Sequence, residues 1–99
     1  MDFGDYTYRI QQAKQRLPLP KLMALHGDKC LVSTSMTCPF HDDEHPSFSA
    51  YRNAKNQWRW NCFAGCGHGD EIDYLMVKLD MTKGEAICEY IQLAGLWTD

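Results

Sequence analysis

The chain has 99 residues, 44% of them hydrophobic and 12% aromatic, with 10 basic and 13 acidic side chains and a formal net charge of −3. That allows one domain at most, is the composition of a globular rather than a disordered chain, and speaks against a protein that coats nucleic acid by bulk charge. No apolar run reaches membrane-spanning length, and Met-Asp-Phe-Gly-Asp at the start has neither the basic nor the apolar region of a secretory signal.

Residues 5–17 read as a helix, because Tyr6, Ile10, Ala13 and Leu17 recur at spacings of three and four. Pro18 and Pro20 end it and start a second short helix around Lys21–His26, with Gly27 as its C-terminal cap. Residues 29–36 read as a strand and residues 42–46 as a polar turn. Ser47–Tyr51 and Gln57–Asn61 read as the strands of a hairpin turning at 52–56. Asp70 is placed to N-cap a helix through about Leu79, with Asp73 at its third position. Thr82-Lys83-Gly84-Glu85 has the form of a capping box and opens a last helix through Leu93. Its apolar stripe is Ala86, Ile87, Tyr90, Ile91 and Ala94. The expected class is α+β: a short antiparallel sheet with helices at both ends. Residues 1–28 form a helical lead-in and residues 29–99 the sheet with two C-terminal helices, in one compact domain.

The chemistry concentrates between those helices. Cys38-Pro39-Phe40-His41 is a C-x-x-H pair, and Cys62 and Cys66 form a C-x-x-x-C pair 20 residues further on. Three thiolates and one imidazole make a closed tetrahedral set of the kind used for structural zinc. The hairpin between the pairs would bring both loops to one ion. Thiolate ligands need a reducing compartment, which points to the cytoplasm. The odd count of 5 cysteines argues against a disulfide framework and leaves Cys30 and Cys88 as buried core thiols. Cys62 to Gly69 reads as a metal knuckle, with Gly65, Gly67 and Gly69 supplying tight backbone.

Cys-Pro-Phe-His, Pro46-Ser47-Phe48, Trp60-Asn61-Cys62-Phe63 and Cys66-Gly67-His68-Gly69-Asp70-Glu71-Ile72-Asp73-Tyr74-Leu75-Met76 closely resemble the zinc-binding domain of bacterial and phage-type DNA primases. The resemblance runs from about Lys29 to Leu93. It implies a zinc ribbon that contacts single-stranded template DNA and helps choose where primers start, with Cys38, His41, Cys62 and Cys66 holding one structural zinc ion. The second knuckle departs from the usual C-F-x-C by one extra residue, Ala64-Gly65 in place of a single spacer. That leaves His68 as an alternative to Cys66, although thiolate softness and the following Gly67 favour Cys66. His45 and His26 read as surface or capping residues.

Primer synthesis needs a carboxylate cluster holding Mg²⁺, and Asp42-Asp43-Glu44 reads instead as a solvated turn. The chain is therefore expected to be non-catalytic alone, an accessory module of a primase. Its Met1 start and short tail favour a freestanding protein over a piece of a longer one. Arg52, Lys55, Trp58 and Arg59 on the hairpin are the candidate nucleic-acid contacts, because cations follow phosphates and aromatic faces stack on unpaired bases. Strand alternation sets Trp58, Trp60 and Cys62 on one side and Gln57, Arg59 and Asn61 on the other, so the tryptophans also fit a core role. The expected partners are single-stranded DNA and a replicative polymerase, primase catalytic subunit or helicase, with no membrane. The alternative is a protein–protein adaptor in a replication or mobile-element complex. It would use zinc only as scaffold and present an acidic helix carrying Asp70, Glu71, Asp73 and Asp80.

Overall fold

The computed structural model describes residues 3–30, 32, 35–40 and 46–96, with side chains from Tyr6 onward. The elements are α1 (Phe3–Arg16), α2 (Leu19–Leu25), β1 (Phe48–Arg52), β2 (Trp58–Cys62), β3 (Gly67–Gly69), α3 (Glu71–Lys78) and α4 (Lys83–Leu93). The three strands form one antiparallel sheet in the order β1-β2-β3. This is an α+β domain with helices on both sides of the sheet in sequence, as expected.

α1 turns Ala13 and Leu17 into the core. Pro18, extended at ψ 164°, stops it and N-caps α2, whose first turn also holds Pro20. Leu19, Leu22 and Met23 of α2 are buried. α2 ends in a Schellman turn: Gly27 takes φ +79°, its N–H donates to Ala24 O at 3.0 Å, and that of Asp28 to Met23 O at 2.9 Å. The hairpin turn is tied by Asn53, whose side-chain oxygen accepts from the amides of Lys55 and Gln57 at 3.0 Å each. Asn56 supplies the left-handed residue at φ +62°.

Both helix starts are capped as the sequence implies. Asp70 accepts from Ile72 N at 3.0 Å and Asp73 N at 3.2 Å, and Asp73 accepts from Asp70 N at 3.0 Å. Thr82 and Glu85 make the same reciprocal pair at the start of α4. α4 buries Ala86, Tyr90 and Ile91, packs against α1 and α3, and joins α1 by a 2.8 Å bond from the Tyr90 hydroxyl to Leu17 O.

Four expectations need correction. Residues 29–36 form no continuous strand among the described residues: Val32 bridges Ala50 in parallel, Met36 bridges Phe48 antiparallel, and one straight strand cannot do both. The knuckle after Cys62 ends in a third strand, β3, too short and glycine-rich to carry a period-two signal. The acidic helix presents less charge than expected: Asp80 is exposed, but Asp70 and Glu71 are turned to an internal partner. Glu71 is 1% exposed and pairs with Lys14 at 3.0 Å, and Asp70 pairs with the same ammonium at 2.9 Å. Cys30 and Cys88 are half-buried rather than fully buried. The polar turn expected at 42–46 lies almost wholly outside the described residues.

Candidate metal centre and nucleic-acid face

The register of the hairpin sorts its side chains into two faces. Phe48 pairs with Cys62, Ala50 with Trp60 and Arg52 with Trp58 on the inner face. Ser49 pairs with Asn61 and Tyr51 with Arg59 on the outer face, where β3 adds His68 opposite Asn61. Trp60 is 1% exposed, stacks on Phe48 with ring centroids 5.6 Å apart, and donates its indole N–H to Asp70 O at 2.8 Å. Phe40 of the first knuckle packs on the same Trp60 at 5.1 Å, on Phe48 at 6.0 Å and on Tyr74 at 5.5 Å. The inner face thus carries both the core and the floor of the metal centre.

Cys38, Cys62 and Cys66 converge there, their sulfurs all within 4.8 Å of one another. Cys38 Sγ lies 3.6 Å from Cys66 Sγ. A tetrahedral ion with bonds of about 2.3 Å spaces its sulfurs about 3.8 Å apart, so the donor set fits zinc in type and spacing. His41 lies outside the described residues, as does His45. His68 is exposed on β3 and is not part of the cluster, and His26 bonds the Leu22 carbonyl at 3.0 Å. Burial, and after it the neighbouring thiols of Cys66 and Cys62, pushes the Cys38 thiol up to about 12, against the pull of the Phe40 amide that donates to it. A bound divalent cation reverses that cost, because a coordinated thiol is deprotonated outright. Ser47 Oγ lies 3.7 Å from Cys62 Sγ and can orient that ligand.

Two glycines are needed by the knuckle. Gly65 takes φ +97° to turn the chain between the cysteines. Gly69 takes φ +154°, and a Cβ there would overlap the Asp73 side chain that caps α3.

The sequence reading missed what holds the first knuckle. Lys78 Nζ donates to Pro39 O at 3.1 Å and to Asp28 at 2.9–3.1 Å, while the Tyr74 hydroxyl also donates to Asp28. The loop bearing Cys38 is therefore clamped to α3 and to the end of α2. No motif links residues so far apart in sequence.

The four hairpin candidates do not share one surface. Arg52 and Trp58 lie opposite one another on the inner-face register, the guanidinium 5.0 Å over the indole. Lys55 is exposed in the turn, and Arg59 is half-buried on the outer face. Tyr51, Asn61 and His68 accompany Arg59 there. Alternation alone predicts Asn61 beside Arg59; His68 joins them only through β3.

A Cys-rich ribbon with helices before and after its sheet defines a zinc-finger class. The CHC2 zinc finger of DnaG-type zinc ribbons matches residues 24–98, and the chain belongs to that family. It is similar to the DNA primase of Buchnera aphidicola, 33% identical over 90 residues that make up 91% of this chain and 14% of that protein. It is also similar to the primase of Haemophilus influenzae, 43% identical over 60 residues (60% of this chain, 9% of that protein). The primase of Chlamydia trachomatis is 41% identical over 51 residues, 50% of this chain and 8% of that protein. The chain thus spans between 8% and 14% of the length of these relatives. No solved structure gives a significant match. The site is that of a primase-related zinc finger. Among the described residues no helix is long and apolar enough to cross a membrane.

Proposed function

We propose that this chain is the template-contacting zinc module of a DNA primase system. It holds single-stranded DNA while a polymerase, primase catalytic subunit or helicase supplies the chemistry in trans. One zinc ion, bound by Cys38, Cys62, Cys66 and His41, serves as structure: a closed ligand set leaves no coordinated water to activate. The module works in the cytoplasm, where its thiolates stay reduced. The two N-terminal helices act with the ribbon as one unit, tied by Lys14 to Asp70 and Glu71.

The observation that carries the reading is the outer sheet face. Tyr51, Arg59, Asn61 and His68 set an aromatic ring, a guanidinium, an amide and an imidazole side by side, adjoining the second knuckle. Such a face suits stacking of unpaired bases and tracking of phosphates. The adaptor reading loses its main support, since Asp70 and Glu71 are paired internally.

Titration of a labelled single strand across a salt series tests this. Two phosphate contacts, from Lys55 and Arg59, give a log K against log salt slope of about −1.4, at about −0.7 per contact. K55A/R59A should flatten the slope and weaken priming when the cognate catalytic partner is added. A double variant that binds and primes like the wild type would remove the hairpin from the DNA surface.

A further inference from the structure

Trp58 and Trp60 sit two residues apart on the same strand face and are treated differently. Trp60 donates its indole N–H to a carbonyl. Trp58 Nε1 is sealed from water and has no acceptor among the described residues. A buried donor left unpaired is a standing cost, and proteins keep such costs where a ligand repays them.

Trp58 also lines a cleft of about 400 Å³ between the end of α1 and the hairpin, with Lys14, Gln15, Arg52, Gln57 and Glu71 among its walls. That is the size of a small-ligand pocket. Lys14 and Glu71 neutralise each other at 3.0 Å, so the cleft is rich in donors without a strong net charge. Arg52 adds a flat stacking surface over the indole and is held by a 3.0 Å bond to exposed Asn56. Orphan donor, amide walls and a planar cation together fit a flat, neutral, acceptor-bearing ligand. A phosphate fits less well, because the Glu71 carboxylate lines the same space. The cleft opens beside the hairpin turn, where Asn56 and Gln57 join its walls.

We propose that this cleft takes one unstacked nucleobase of the template and reads its exocyclic carbonyl through the Trp58 indole N–H. This rests on the strand-binding reading above and makes Trp58 a base-selecting residue. Arg52 swings off the indole to admit the base and then packs on it.

Trp58→Phe keeps the ring and removes the N–H. With the zinc-loaded full chain, binding of oligothymidylate and oligoadenylate is compared by anisotropy at one salt concentration. The thymine strand, with two exocyclic carbonyls per base, should bind better. Trp58→Phe should lower its affinity roughly five- to tenfold, the worth of one hydrogen bond. Adenine binding should change little, and the melting temperature should stay or rise. In the wild type, the Trp58 indole NMR signal should shift on adding oligothymidylate while that of Trp60 stays put. Strand binding with an unmoved Trp58 signal, or an unchanged thymine preference in Trp58→Phe, overturns the pocket alone. Failure to bind either strand overturns the strand-binding reading and the pocket with it. A variant that loses stability is decided by the wild-type NMR arm.

Discussion

The two faces of the β1–β2 hairpin use alternate residues of the same two five-residue strands, yet they serve opposite ends. The inner face buries Phe48, Ala50, Trp60 and Cys62 to 4% exposure or less and carries one thiol of the cluster that could hold a metal. The outer face leaves Ser49, Tyr51, Arg59, Asn61 and His68 exposed or half-buried, with nothing apolar to gain from closure. The core face and the face proposed to contact DNA are thus separated by one residue of register, and a slip would exchange them. Trp58 stands between: it lies on the inner face at the turn end of the hairpin, half-buried, with no acceptor for its indole N–H among the described residues.

The comparison breaks first at the metal. Cys62→Ser removes an inner-face ligand and should abolish zinc binding by elemental analysis together with the cooperative unfolding transition. Structural zinc is worth roughly 10–16 kcal/mol in small domains. A Ser variant that keeps one zinc and a sharp transition would detach the ion from the fold.

Next comes the inner-face aromatic. Trp60→Ala empties a site bounded by Phe40 and Phe48 and removes one of the two donors to Asp70 O, which keeps the Tyr74 amide at 3.0 Å. Urea unfolding should show a loss of about 3–5 kcal/mol. Tyr51→Ala, one residue away from Ala50 in sequence but on the other face, should cost within about 0.5 kcal/mol, the usual range for surface changes.

The Lys14 pair gives an effect that depends on pH. Burial raises the Glu71 carboxyl above its usual range even with Lys14 alongside. Burial acts on Asp70 too, but there the Lys14 ammonium prevails and holds the pKa low. For Asp70 the stabilisation is present above its unfolded value and lost as pH falls through its folded one. For Glu71 the sign is opposite: its raised folded value means that stability grows as pH falls through it. Lys14→Met leaves Glu71 buried and unpaired, at a cost of about 2 kcal/mol after allowing for the partial exposure of Lys14. The gap between variant and wild type should narrow as pH falls, because Glu71 takes up a proton more easily without Lys14. Adding Glu71→Gln to Lys14→Met should recover much of the loss. A gap independent of pH would mean that Lys14 contributes by packing alone.

The smallest change tests the ligand set. His68→Ala should leave zinc affinity and stability unaltered, because His68 projects from β3 outside the thiol cluster, while single-strand binding weakens. Chelator competition and strand titration on the same preparation separate the two effects. A large drop in zinc affinity would re-route the fourth ligand to His68.

Local chemistry was legible in the sequence wherever a short-range rule governs. The prolines at 18 and 20, the capping residues Asp70 and Thr82 and the Asn-rich turn each act within a few residues, so reading them in order sufficed to place four helices and a hairpin. The C-x-x-H and C-x-x-x-C spacings named the thiols that the fold brings together, because metal geometry restricts which residues can serve. Only the tertiary structure decided the rest. Lys78 reaches Pro39 across 39 positions and Lys14 reaches Glu71 across 57, and no local signal encodes such pairs. Lys14 drew Asp70 and Glu71 of the expected acidic face into an internal ion pair and left Asp80 exposed. The third strand depends on glycines pairing with β2, and it alone carries His68 to the outer face. Whether a tryptophan of the Trp-Arg-Trp run becomes core or cleft depends on what lies opposite: Ala50 leaves room for Trp60 to pack inward, while Arg52 faces Trp58, whose nitrogen has no acceptor among the described residues.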